Sequence, residues 1–236
     1  MYIRIISYGI YMIWMRLRGF KRYFIEKTRG EEEAWRYGQK VFLKWSRFTI
    51  KTLQMEIEVI GAQNIPKGTC VFMGNHQSIL DIPVIRATVG RTVDFVAKEE
   101  LLKVPVIGYW IAHLKSVSLD RNNVREGLKA MNTAIERISN GYNFVIFPEG
   151  TRSKDGRINS FKKGSVKIAT KSRTPIVPFA INGTASCFEE NKKFKSGKVK
   201  IIFGRQIDTN NLSKEEEKSL VDKLYSEVYN MYEEIC

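Results

Sequence analysis

Histidine and cysteine are scarce in this chain of 236 residues, which has two of the first and three of the second. The cysteines, Cys70, Cys187 and Cys236, are odd in number and widely spaced; that excludes a disulfide framework and fits a reducing compartment. The histidines, His76 and His113, stand 37 positions apart without an H-E-x-x-H pattern, so no metal is expected. There is no G-x4-G-K-[ST] phosphate loop and no G-x-S-x-G nucleophile elbow. No RNP-like block or zinc-finger spacing supports a nucleic-acid partner. No internal repeat of about 20 to 50 residues occurs. Acidic residues are also short, 25 against 39 basic, which leaves a net charge of +14 and a pI near 9.7. Such a surplus attracts anions: nucleic acid, an anionic membrane face or a phosphorylated substrate.

What is present suffices for one sizeable domain with an appendage, since hydrophobic residues make up 43% and aromatics 11%. The charge is uneven. Residues 1–52 hold twelve Lys or Arg against four Glu and three of the four tryptophans, Trp14, Trp35 and Trp45. Within them, residues 5–15 (IISYGIYMIWM) are uncharged, but eleven residues fall short of the roughly 20 a spanning helix needs. The basic RLRGFKR that follows argues against signal-peptide cleavage. Farther on, Lys40, Lys44, Arg47 and Lys51 form one helical stripe, and Val41, Trp45, Phe48 and Thr52 form a second beside it. That pattern predicts a basic amphipathic helix, which lies either on a membrane interface or with its apolar side on the domain core. Taken with the apolar first segment, residues 1–52 are expected to be a two-helix membrane-interface anchor. They precede an α/β domain over 53–236.

From residue 53 strand-like runs alternate with helical ones. MEIEVIG, TCVFMGN, TVDFVA, SVSLD, NFVIFPEG, TPIVPFAI and KVKIIFG are the strand candidates. Helices are predicted over 121–139 and 214–234, the latter capped by Ser213. The fold class expected is α/β, with a mixed, mostly parallel sheet flanked by helices. Sites in such sheets gather where strands end and helices begin.

Chemistry-bearing residues stand at such ends. NHQSILD, residues 75–81, delivers His76 to a loop with Asp81 in or just before the next helix. A carboxylate on Nδ1–H fixes the imidazole tautomer and frees Nε2 to take a proton from a hydroxyl. The bland alternative is a packed histidine and a helix-capping aspartate. FPEGTRS, residues 147–153, follows an apolar strand directly. Gly150 permits a tight turn, and Arg152 offers a planar fork suited to phosphate. SVSLDR (116–121) and VPFAI (177–181) complete the set.

In this order the stretches resemble the PlsC-type glycerolipid acyltransferases. Asn75, His76 and Asp81 match that family's N-H-x4-D block, Asp120 and Arg121 its second, residues 147–153 its F-P-E-G-T-R-S block, and Val177, Pro178 and Ile181 its V-P-x-x-I strand. Lys98, Leu101, Pro105 and Gly108 match a K-x-x-L-x-x-x-P-x-x-G element. The resemblance implies acylation of the sn-2 hydroxyl of 1-acyl-glycerol 3-phosphate by an acyl thioester, with His76 as base and Asp81 orienting it. It implies no acyl-enzyme and no cofactor beyond an acyl-carrier-protein or coenzyme A donor. Lys98, Arg121 and Arg152 become the expected phosphate ligands, with Asn75, Glu149, Gly150 and Thr151 forming the substrate loop. Backbone N–H groups near His76 or Gly150 are the candidate oxyanion donors. Glycerol 3-phosphate or another lysophospholipid is the alternative acceptor. A lipid substrate implies a peripheral or monotopic protein on the cytoplasmic membrane face, in contact with an anionic leaflet.

Overall fold

A computed structural model describes residues 2–119, 123–153, 156–190 and 192–236. Among these, the strands are β1 (Met55–Ile60), β2 (Val71–Gly74), β3 (Asp94–Lys98), β4 (Val117–Leu119), β5 (Phe144–Ile146), β6 (Ile176–Asn182) and β7 (Gly197–Phe203). The helices are α1 (Tyr2–Arg29), α2 (Glu31–Leu53), α3 (Asp81–Thr88), α4 (Ile107–His113), α5 (Val124–Ser139), α6 (Lys163–Ser172), α7 (Thr184–Cys187) and α8 (Lys214–Ile235). The strands form one sheet in the order β1-β7-β6-β2-β5-β3-β4, parallel throughout except for β6 against β7. All seven strand candidates occupy strands, and the sheet is the mixed, mostly parallel one expected.

Both sheet faces are covered, which is why the central strands are continuously apolar instead of alternating with polar residues. Phe72, Val145, Val177 and Phe179 pack toward α2 and α3, while Val71, Met73, Phe144, Ile146 and Ala180 pack toward α5, α6 and α8. β2 lies at the centre between β5 and β6. The helix that follows β2 covers one face and the helix that follows β5 covers the other. Chains leaving neighbouring strands toward opposite faces open a crevice at the strands' carboxyl ends. At Gly74 a Cβ would collide with the Phe179 carbonyl, so the last residue of β2 must be glycine for the strands to approach. α8 begins at Ser213, whose hydroxyl accepts from Glu216 N while Glu216 returns a bond to Ser213 N.

The two N-terminal helices behave differently. The α2 stripe faces the core: Val41 and Trp45 are buried with Phe42 in the α3-side cluster, and Phe48 stacks on Tyr11 of α1 at 3.8 Å. α2 is also tied down by polar bonds. Trp35 Nε1 and Gln39 Nε2 donate to the buried Asp94 at 3.3 and 3.0 Å, and Ser116 Oγ adds a third contact at 3.4 Å. α1 packs along α2 but leaves Ile6, Ile10, Ile13, Leu17, Phe20 and Phe24, at helical steps of four and three, each more than half exposed.

Asp94 gives the protein a pH-dependent component of stability. Burial pushes its carboxyl up to about 6, against the lowering influence of the Trp35 N–H, Arg137, Ser116 and Arg86. A carboxyl raised from its ordinary 3.8 contributes fully below that value and loses its contribution as pH rises through 6. The stability advantage of wild type over Asp94→Asn should therefore shrink between pH 4 and pH 7, by up to a few kcal/mol. Urea midpoints of both proteins across that range test this; an advantage that grows with pH would refute it.

Candidate active site

The crevice is floored by three strand ends. β2 hands its chain to Asn75 and His76, β5 to Phe147–Glu149, and β6 to Gly183 and Thr184. Asn75 is a clamp between strands: its side chain donates to Ile181 O at 2.9 Å and accepts from Ile181 N at 2.8 Å. This fixes where β2 releases the next residue.

His76 Nδ1 lies 2.7 Å from Asp81 Oδ2. The same oxygen accepts the backbone N–H groups of Gln77 at 2.7 Å and Ser78 at 3.0 Å. Thr184 Oγ1 donates to Oδ1 at 2.5 Å. A carboxylate is an acceptor on every side, so the neutral imidazole tautomer that suits this bond is the one with its proton on Nδ1 and its lone pair on Nε2. Asp81 is the first residue of α3 and reaches back to the loop; no side chain caps that helix. The dipole of the helix start favours a negative charge there. The imidazole stacks on Phe147, with centroids 3.9 Å apart and 15° between planes, and keeps 18% of its surface exposed.

The main chain of His76 is held as firmly as its ring. Its N–H donates to Glu149 Oε1 at 2.7 Å, and its carbonyl accepts from Ser153 N at 2.9 Å. Glu149 Oε2 accepts from Asn159 N and Nδ2 at 2.8 and 2.7 Å. Burial raises the Glu149 carboxyl, opposed by the Asn159 and His76 hydrogen bonds. Glu149 therefore orders the loop that supports His76. Gly150 turns the chain at φ +70°, where its N–H returns to Phe147 O at 3.0 Å and an added Cβ would press on Lys162. The N–H groups of His76 and Gly150 themselves are thus both spent on internal partners. Thr151 is exposed beside them.

The expected phosphate ligands diverge. Arg152 Nη1 meets Glu189 Oε1 at 2.5 Å, and that oxygen also accepts from Ile79 N at 3.2 Å and Ser78 Oγ at 3.4 Å. Lys192 pairs with the other oxygen at 2.7 Å. Burial works to raise Glu189, but Lys192, the Ile79 N–H and Arg152 together hold it below the ordinary carboxylate range. Arg152 is thereby joined to the loop that carries His76. Lys98 ends β3, two strands from β2, and pairs with Glu100 at 2.7 Å on an exposed rim. Asp120 and Arg121 lie outside the described residues.

Sequence reading missed Gln77, Asn159, Thr184 and Glu189. Gln77 Nε2 donates to Tyr232 OH at 2.8 Å, and its Oε1 accepts from Gly183 N at 3.1 Å, which binds α8 and the β6 end to the His76 loop. One signal was available: Thr184 follows β6 directly, at the same kind of strand end that supplied the other site residues. Cys70 and Cys187 are buried and burial raises both thiols, Cys70 to about 11, consistent with inert core residues. His113 bonds Tyr109 O at 2.7 Å within α4, a structural role.

The sequence profile of the Acyltransferase family matches residues 56–182. A 1-acyl-sn-glycerol-3-phosphate acyltransferase of Borreliella burgdorferi is 32% identical over 183 residues, covering 77% of this chain and 73% of that protein. A chloroplastic 1-acyl-sn-glycerol-3-phosphate acyltransferase of Brassica napus is 34% identical over 154 residues, 64% of this chain, but the match spans only 44% of the plant protein. Among solved structures, the 1-acyl-sn-glycerophosphate acyltransferase PlsC of Thermotoga maritima superposes with a TM-score of 0.79 at 33% identity, covering 98% of this chain and 97% of that one.

Proposed function

This chain belongs to the PlsC-type acyltransferase family, and on that footing we propose that it acylates the sn-2 hydroxyl of 1-acyl-glycerol 3-phosphate to give phosphatidate. The observation that carries the reading is the 2.7 Å bond between His76 Nδ1 and Asp81 Oδ2, which leaves Nε2 as the basic nitrogen at the mouth of the crevice. Nε2 takes the proton of the acceptor hydroxyl as its oxygen attacks the thioester carbonyl. The tetrahedral intermediate collapses with loss of the thiolate, and the imidazolium, stabilised by Asp81, returns the proton to that sulfur. Arg152 binds the acceptor phosphate with its planar fork. Lys98 and Arg121 are the further cations proposed for it. The donor is an acyl-carrier-protein or coenzyme A thioester; both are anionic and suit a chain of net charge +14.

Turnover assays with 1-acyl-glycerol 3-phosphate and each thioester, varying the acceptor headgroup, test the proposal. Phosphatidate formation is expected. Preference for glycerol 3-phosphate or another lysophospholipid would reassign the acceptor, and no transfer to any of them would refute the activity.

The α1 stripe supports a monotopic position on the cytoplasmic leaflet, and the free cysteines fit that reducing side. No helix among the described residues is long and apolar enough to cross a membrane. Six half-exposed apolar side chains, each contributing on the order of 1 kcal/mol on burial, suffice for interfacial binding. Ile10→Asp with Leu17→Asp should abolish sedimentation with anionic vesicles and leave the thermal unfolding midpoint within a few degrees of wild type. Removal of residues 1–52 would be a poorer test, because α2 is part of the core. Undiminished sedimentation of the double variant would refute the anchor.

A further inference from the structure

At the C-terminal end of α3, the end away from Asp81, a groove of about 640 Å³ runs between α1, α2 and α3. That volume falls within the roughly 300–1,000 Å³ of small-molecule sites. Its walls carry seven cationic side chains and a single carboxylate, Glu33. Lys21, Arg29, Lys40 and Arg47 have no carboxylate partner among the described residues. Arg36 is paired with Glu32 and Glu33 and Arg91 with backbone carbonyls, but those four, lining one concavity, repel one another unless an anion enters.

The floor is built from buried groups. Arg86 is only 3% exposed; its guanidinium donates to the backbone carbonyls of Arg91 at 3.0 Å and Gln39 at 3.1 Å, while Nε has no partner. Gln39, 1% exposed, likewise has Oε1 unpartnered. Burial, with a further push from Arg47, lowers the Arg86 guanidinium to about 10, and only Asp94 behind Gln39 counters this. A buried arginine facing other cations is stabilised by an incoming anion more than a solvated one would be, because the same charges interact more strongly away from water. The α1 wall contributes Lys21 and Ile25, next in sequence to Phe20 and Phe24 of the exposed apolar stripe, and Leu43 adds apolar surface from α2.

We propose that this groove is a second, non-catalytic lipid site that takes the phosphate headgroup of a single acidic phospholipid, with the acyl chains running along the α1 stripe. The inference rests on the lipid-surface reading above but not on the acylation reaction. It also differs from a general attraction of the basic surface to membranes, because it assigns one headgroup to one cavity.

The test uses full-length protein carrying Lys98→Ala, Arg121→Ala and Arg152→Ala, which removes the three cations proposed for the catalytic phosphate, and monomeric dioctanoyl phosphatidate followed by calorimetry. Saturable one-to-one binding is expected. Lys40→Glu with Arg47→Glu should weaken it at least tenfold. Lys167→Glu with Lys171→Glu, exposed on α6 across the sheet, changes net charge equally and should weaken it less than twofold. Dioctanoyl phosphatidylcholine should bind at least tenfold more weakly, and equimolar inorganic phosphate should not displace the lipid. Equal loss from both charge reversals would reduce the effect to net charge and overturn the proposal. Displacement by equimolar phosphate would make this a free-phosphate site and overturn the lipid assignment. Should the charge-reversed protein fail to fold, Lys40→Gln with Arg47→Gln replaces it, and unchanged affinity there overturns the proposal as well. Because neither turnover nor a bilayer is involved, a negative result here is separable from failure of the acylation or anchoring readings.

Discussion

His76→Ala is expected to lower kcat for acyl transfer about 10²–10⁴-fold, the usual contribution of a positioned general base. KM for the acceptor should change little, because the cations proposed for the phosphate are Arg152, Lys98 and Arg121 and not the imidazole. The fold should survive. The side chain makes one hydrogen bond and one ring stack, and the main chain of residue 76 stays pinned by Glu149 and Ser153. Steady-state kinetics beside an unfolding curve check both parts. A variant that turns over at the wild-type rate would remove His76 as base and send the search to another group in the crevice. A loss of turnover that simply tracks loss of folded protein would leave only a packing role.

Asp81→Ala has a second, larger expected effect because it acts on two levels. Nδ1 loses the acceptor that fixes its tautomer, so kcat should fall by a factor comparable to that for His76→Ala. The loop loses more. Gln77 N, Ser78 N and Thr184 Oγ1 all donate to this carboxylate, and the site is buried. Donors left without acceptors away from water cost about 1–3 kcal/mol each, partly recovered by relaxation, so a destabilisation of about 2–5 kcal/mol is expected. Urea midpoints and kinetics well below the melting range separate the two effects. Unchanged stability would mean that the loop does not depend on Asp81.

The same contrast explains what the amino-acid order disclosed. The strands were legible because burial on both faces leaves unbroken apolar runs such as Val71–Met73 and Phe144–Ile146. The start of α8 was legible because Ser213 and Glu216 form their reciprocal cap within four residues. His76 and Glu149 stood out as polar residues placed just after apolar strands, and Asp81 by its spacing from His76. Glu189, Asn159 and Thr184 did not, since their roles arise only when loops distant in sequence converge; Thr184 meets Asp81 across 103 positions. The α2 stripe was ambiguous for a different reason: an apolar helical face has the same periodicity against lipid as against a sheet. The Trp35 and Gln39 bonds to Asp94 turn it inward. Backbone N–H groups carry no sequence signature at all, which is why oxyanion donors could be sought only somewhere near His76 or Gly150, whose own N–H groups are engaged internally.

In the proposed reaction, the stitching between the His76 loop and the Arg152 loop bears on which hydroxyl would be acylated. Ser153 N on His76 O, Glu149 on His76 N, and Glu189 joining Arg152 to Ile79 N and Ser78 Oγ leave little freedom between base and cation. If they act as proposed, the pair would serve as a ruler from phosphate to hydroxyl. An acceptor whose hydroxyl lies one carbon nearer or farther presents its oxygen displaced by about 1.5 Å, a single bond length. Misplacement of about 1 Å is enough to cost on the order of 10²-fold in rate. On this view regiochemistry is set by the span between two loops fastened to each other, and a glycerol carbon is counted without being touched.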